Sequence, residues 1–139
     1  MRGIIKMREV IDFLNSNAMG SLATVENGKP RVRPWGFMFE QDGKLWFCTG
    51  NTKDVFQQLQ KNPAIEFTSS SQAYVTVRVR GEVKFSKDLD VKKKIIEYSP
   101  IVKSVYKTPE NPTFEIFYLE HGKAIISDFS GQPPKTFEF

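Results

Sequence analysis

Asp42-Gly43 lies between two apolar, strand-like runs, Pro30–Phe39 and Leu45–Gly50, and this pair restricts the fold more than any other local feature. Asp and Gly tolerate the positive φ of a tight hairpin turn, so the two runs are predicted to lie side by side as antiparallel strands. The second run leads directly into Asn51-Thr52-Lys53 and then Val55, Phe56 and Leu59, whose spacing gives one apolar helix face. Pro30 to Leu59 therefore reads as strand, turn, strand, helix, with Asn51 or Thr52 as the helix cap and Lys53 in its first turn.

That order places chemistry at one point. The start of a helix offers free N–H groups and the positive end of a dipole, and here Thr49, Thr52 and Lys53 add two hydroxyls and an ammonium. Arg31, Arg33 and Trp35 alternate along the preceding strand and share a face, opposite Val32 and Pro34. If that face borders the helix start, two guanidiniums and an indole converge on an anion, and a flat phosphorylated ligand fits best. Each part also has a plain reading: alternating arginines are commonly a solvated strand face, and Thr49 to Thr52 is an ordinary strand-to-helix connection.

The rest of the chain reads as short strands interrupted by helices. Met7–Asn15 is an amphipathic helix suited to plugging a barrel end, and Met19–Val25 is a strand turned by Asn27-Gly28 into the Pro30 strand, so the first three strands form a meander. Asn62-Pro63 ends the second helix, Ala64–Thr68 is a strand, and Ala73–Phe85 is one long strand broken near Gly81. In it Tyr74, Thr76, Arg78 and Arg80 share one face and Val75, Val77 and Val79 the other. Asp88 caps a helix whose Lys92-Lys93-Lys94 run is a solvated face, and a short helix follows Ser99-Pro100. Thr113–Leu119 and Lys123–Phe129 form a final hairpin, and the aromatic end at Phe137 and Phe139 docks on the barrel or on a partner. The class is mainly β, a β-barrel with inserted helices in a single domain over residues 1–139.

Composition narrows the function. The 139 residues suffice for one core, and one Cys and one His leave no cysteine or histidine cluster for a metal. No apolar run is long enough for a membrane span or signal peptide, which places the chain in the cytoplasm. A net charge of +4 suits a phosphorylated small molecule as well as a nucleic acid.

Taken together, Arg31-Val32-Arg33-Pro34-Trp35-Gly36, the hairpin, Phe47-Cys48-Thr49, and Asn51-Thr52-Lys53 opening a helix that ends at Asn62-Pro63 resemble the FMN-binding split barrels related to pyridoxamine 5'-phosphate oxidase. Among these the chain is most similar to the short, Nim-type proteins. The resemblance implies a homodimer enclosing two FMN molecules at its interface. By position it implies that Thr52 and Lys53 contact the phosphate, that Arg31, Val32, Arg33, Pro34, Trp35 and Gly36 run along the flavin, and that Cys48 and Thr49 contact it from the next strand. Thr76 falls where the parent oxidases place a glutamine reaching the other subunit's flavin. Asp54 stands where those enzymes carry a second basic residue, and their later substrate-binding arginine and histidine pattern is not apparent in Gly122–Phe139. The implied activity is therefore hydride transfer through FMN from NAD(P)H or another donor to a small-molecule substrate, rather than pyridoxamine-phosphate oxidation. No catalytic residue is assigned, and His121 and Cys48 read more simply as a solvated turn residue and a small apolar side chain. Non-catalytic FMN binding or sensing, a deazaflavin in place of FMN, and single-stranded nucleic-acid binding by the Tyr74, Arg78 and Arg80 face with Trp35 remain as alternatives, the last the weakest.

Overall fold

A computed structural model describes residues 2–139, with the backbone alone for residues 2–6. The elements in order are α1 (Arg2–Ser16), β1 (Met19–Glu26), β2 (Lys29–Gly36), β3 (Phe39–Gln41), β4 (Lys44–Gly50), α2 (Asp54–Lys61), β5 (Ala64–Ser70) and β6 (Thr76–Glu82). There follow β7 (Lys84–Ser86), α3 (Leu89–Tyr98), α4 (Pro100–Tyr106), β8 (Phe114–Leu119), β9 (Gly122–Ser127) and β10 (Lys135–Glu138). All pairings are antiparallel, in a six-stranded sheet of order β10-β9-β6-β5-β1-β2 and a four-stranded sheet of order β3-β4-β8-β7. The two sheets pack on each other without closing, which is a split barrel and agrees with the mainly β expectation.

Both turn signals act as their residues require. Asn27 and Gly28 hold φ of 52° and 75°, and Asp42 and Gly43 hold 56° and 74°, the left-handed pairs of tight hairpins. Asp88 accepts from the amides of Asp90 and Val91 at the start of α3, and Ser99 accepts from Val102 at the start of α4, where Pro100 is the first residue.

Several pairings differ from the sequence reading. The Pro30–Phe39 run is not one strand: Phe37 N–H donates to Ala18 O and Met38 N–H to Trp46 O, so the chain passes from one sheet to the other between adjacent residues. Of that run only the β3 part pairs with β4, while β2 pairs with β1 in the other sheet, and the first three strands are not a meander. The Ala73–Phe85 run splits likewise at Val83, whose N–H donates to Pro63 O, and Tyr74 lies in a turn before β6 with φ 63°. The expected last hairpin is absent, since β8 pairs with β4 and β7 whereas β9 pairs with β6 and β10. A Cβ on Gly122, the first residue of β9, would lie 2.1 Å from Arg80 O, so glycine permits this crossing.

The core has two parts. One lies between the sheets and under α1 and α2 and includes Leu14, Leu22, Phe47, Val55, Leu59, Phe67, Val77 and Val79. The other joins α3 and α4 to the four-stranded sheet through Trp46, Ile95, Val102, Tyr106 and Phe114. Phe137 is buried in the first, so the aromatic terminus docks on its own barrel. Lys92 departs from its expected solvated position: it is buried, and its ammonium donates to Phe114 O at 3.0 Å. Among the described residues no helix is long and apolar enough to cross a membrane.

Candidate functional site

Strand β2 lies at the edge of the six-stranded sheet, with its Arg31, Arg33 and Trp35 across from Thr24, Leu22 and Gly20 of β1. Cross-strand partners point to the same face. Leu22 and Thr24 are buried beneath α2, so these three side chains lean toward the helix, while Val32 on the opposite face is 70% exposed. The start of α2 is brought alongside by the tight turn after β4, in which Lys53 N–H donates to Gly50 O at 3.1 Å.

Between β2 and α2 runs an open groove of about 640 Å³, lined by Arg31, Val32, Arg33, Pro34, Trp35, Thr52, Lys53, Asp54 and Gln58 among others. That volume lies within the ~300–1,000 Å³ of small-molecule sites. The helix begins at Asp54, one or two residues later than a cap at Thr52 or Asn51 would place it. Lys53 is the N-cap, and its side chain makes no capping bond. Thr52 and Asn51 do not cap either; the Asn51 amide donates to Pro112 O and to Glu115 Oε2. The first amides of α2 therefore have no side-chain acceptor and remain available to an anion.

Each cation is held differently. Lys53 Nζ stands 5.6 Å from the centre of the Trp35 ring, a cation–π contact over the groove wall. Arg31 is exposed and pairs with Glu26 at 3.1 Å. Arg33 is half-buried: Nη1 donates to Leu22 O at 3.2 Å and Thr24 Oγ1 at 2.9 Å, and Nη2 donates to Gln58 Oε1 at 2.7 Å. Burial lowers its pKa from the ordinary arginine value, and the nearby charge of Asp54 works the other way.

Seven of the residues selected from sequence thus meet in this groove, and four lie outside its lining. Gly36 ends β2 beyond Trp35. Thr49 is buried, and its hydroxyl has no hydrogen-bond partner. Cys48, its neighbour on β4, packs on the second core cluster, where burial pushes the thiol up to about 12, partly offset by Lys53. Thr76 is on the outward face of the six-stranded sheet, its hydroxyl 3.1 Å from that of Ser70. On that face Arg78 and Arg80 both pair with Glu66, so one carboxylate offsets about half of their charge.

Sequence reading missed Gln58 and Thr24. Gln58 faces inward three residues after Val55, but nothing local marks a helical glutamine as the partner of a strand arginine. A separate concavity of about 600 Å³ is lined by Met7, Ile11, Leu45 and Phe139 with Glu40, Asp42, Glu120, Glu138, Arg8 and His121. Its acids outnumber its bases, which disfavours a phosphate. The His121 ring there is exposed and 3.6 Å from Glu120, as a solvated turn residue would be.

Residues 7–123 match the family model described as pyridoxamine 5'-phosphate oxidase. A NimC/NimA family protein of Clostridium acetobutylicum is 33% identical, superposes with a TM-score of 0.87, and the match covers 96% of this chain and 92% of that one. General stress protein 26 of Bacillus subtilis is 24% identical over 137 residues, 94% of each chain. A pyridoxamine 5'-phosphate oxidase-related, FMN-binding protein of Nostoc punctiforme shares the fold, with TM-score 0.72, 18% identity and coverage of 99% and 95%. A family match over most of the chain, with the topology to go with it, establishes that the chain belongs to the pyridoxamine 5'-phosphate oxidase family.

Proposed function

We propose that the groove between β2 and α2 binds FMN and that the protein is an FMN-dependent oxidoreductase of the cytoplasm, working as a homodimer, which passes hydride from NADH, NADPH or another donor to a small acceptor. The observation that carries the reading is the convergence of Arg31, Arg33 and Lys53 with Trp35 at a helix start that has no side-chain cap. Family membership and the FMN-binding structural relative support the choice of ligand.

The residues fit such a group by their chemistry. Lys53, Thr52 and the first amides of α2 are the donors for a phosphate, and Arg31 adds a second cation at the edge of the groove. Trp35 supplies a flat wall. Arg33 contributes fixed positive charge at the groove floor, where it stabilises negative charge on a ligand. When bound, the flavin supplies hydride transfer; the protein's part is to bind, orient and polarise it. The outward sheet face supports dimerisation, since Met19 and Val32 lie there 69% and 70% exposed, and it also carries Thr76, the residue assigned to the partner's flavin. A carrier or sensor without turnover would need the same groove and is separated from an enzyme only by reduction.

The test is the absorption spectrum of purified protein after addition of FMN and removal of free flavin by gel filtration. Bands near ~450 and ~370 nm in a dimer-sized peak support flavin binding, and bleaching by NADH or NADPH supports an enzyme. A charge-assisted hydrogen bond contributes about 1.5–3 kcal/mol, so replacing Arg31 and Lys53 together by Ala should weaken FMN binding at least about a hundredfold. A double variant that retains FMN as well as the parent does removes the phosphate assignment.

A further inference from the structure

We infer that Gln58 is a positioning residue that holds the Arg33 guanidinium with uncharged acceptors only, so that its positive charge is left for the anionic ligand of the groove. The inference rests on the flavin reading above.

The geometry is a closed ring. Arg33 Nη2 donates to Gln58 Oε1 at 2.7 Å, Arg33 Nη1 donates to Thr24 Oγ1 at 2.9 Å, and Thr24 Oγ1 donates to the same Gln58 oxygen at 2.6 Å. Leu22 O takes a further bond from Nη1 at 3.2 Å. Gln58 is 5% exposed and Thr24 2%, so both acceptors are fixed by packing between α2 and β1. Among the described residues Arg33 makes no ion pair, although it is half-buried. Arg31, Arg78 and Arg80 on the same sheet each pair with a carboxylate.

The difference bears on purpose. A guanidinium drawn out of water is most simply stabilised by a carboxylate, and a glutamate would reach the same place with the same side-chain length. Glutamine supplies the identical hydrogen-bond geometry without the compensating charge. Asp54 acts on Arg33 through space but does not pair with it. The arrangement leaves the unpaired N–H groups and net charge of a fixed guanidinium beside an open groove, which is what an anion receptor needs and a structural ion pair lacks.

Two substitutions separate charge from tether. Gln58→Glu keeps the ring of bonds and neutralises Arg33; Gln58→Met keeps the charge and removes the tether. FMN is titrated into the wild-type protein and both variants, followed by quenching of flavin fluorescence, and thermal unfolding is recorded without ligand. The expected result is that Q58E melts at or above the wild type yet binds FMN tenfold or more weakly, while Q58M melts lower and loses less affinity. Affinity and stability then rank the two variants in opposite order. A purely structural role predicts that affinity follows stability. That outcome, a Q58E protein that binds FMN like the wild type, or a Q58E protein less stable than the wild type overturns the inference and leaves the flavin reading standing. Wild-type protein that takes up no FMN overturns both.

Discussion

The groove between β2 and α2 and the cluster where α3 and α4 meet the four-stranded sheet treat their charges in opposite ways. In the cluster, Glu115 is 5% exposed and its two oxygens accept from Lys87 Nζ at 3.2 Å and Asn51 Nδ2 at 2.9 Å. Lys92 is 7% exposed, its ammonium on Phe114 O and 5.7 Å from the Phe114 ring centre. Glu115 and Lys92 are hidden from solvent and held by protein atoms, although Lys92, like Arg33, meets a neutral acceptor and, among the described residues, no carboxylate, and Lys87 reaches Glu115 from the surface. In the groove, Lys53 lies over an indole with no carboxylate, and Arg33 is held by an amide, a hydroxyl and a carbonyl. What separates the two regions is access: a cation enclosed by the protein serves the fold, whereas one that lacks a carboxylate partner and lines an open groove is within reach of a ligand. Of the two regions, the groove is the one whose cations an anionic ligand could reach.

The sharpest way to break that contrast is in the cluster. Glu115→Ala removes one of the two acceptors of the Asn51 amide, beside the turn between β4 and α2, and the partner of Lys87. Loss of a buried charged acceptor costs about 2–3 kcal/mol, and urea unfolding should show it as a lowered midpoint with unchanged slope. Flavin affinity, measured where the variant is still folded, should change by less than about threefold. A variant with native stability but lost flavin binding would assign Glu115 to the ligand and reverse the comparison.

Cys48 tests whether the cluster is also closed to chemistry. Its thiol is pushed up to about 12 from an ordinary 9.0, chiefly by burial. The native state therefore keeps a proton that the unfolded chain releases near pH 9. The resulting stabilisation is complete below that pH and is lost as pH rises toward about 12. The difference between 9.0 and about 12 sets a ceiling of about 4 kcal/mol. Stability should therefore fall more steeply between about pH 8 and pH 11 in the wild type than in Cys48→Ala, as read from urea midpoints. Alkylation by iodoacetamide near pH 8 should be far slower in the native protein than in urea. Equal pH slopes would mean that the thiol is solvated and available.

What was legible in the sequence was local. Asn27-Gly28 and Asp42-Gly43 specify their turns through the φ values those residues tolerate, and Asp88 and Ser99 cap helices through bonds spanning two or three residues. The alternation of Val77 and Val79 with Arg78 and Arg80 likewise follows from strand period alone. Pairing was not legible, because Phe37 and Met38 change sheets within an uninterrupted apolar run, and their partners, Ala18 and Trp46, lie in separate strands' neighbourhoods. The burial of Lys92 escaped for the same reason: its acceptor, Phe114 O, is 22 residues away. In the groove, the strand arginines and the helix-start lysine stood out by spacing. Gln58 and Thr24 did not, since their role exists only once α2 lies across β1.

The smallest expected effect concerns the one acid in the groove that pairs with none of its cations. Asp54 is the first residue of α2 and lines the groove, and its charge is felt by Arg33. As an acid in the first turn it stabilises the helix by about 0.3–1 kcal/mol through the macrodipole. For an anionic ligand the same charge is unfavourable, so the residue sets helix stability against affinity. Asp54→Asn should tighten FMN binding about two- to fivefold, and Asp54→Lys somewhat more, each with a loss of at most about 1 kcal/mol in unfolding free energy. Raising the salt concentration should shrink both gains, because exposed charges are screened within about 10 Å at 0.1 M. Affinity that stays constant across wild type, Asn and Lys would mean that the phosphate sits away from the start of α2, and the ligand's anionic end would then have to be sought along Arg31 and Arg33 at the strand side of the groove.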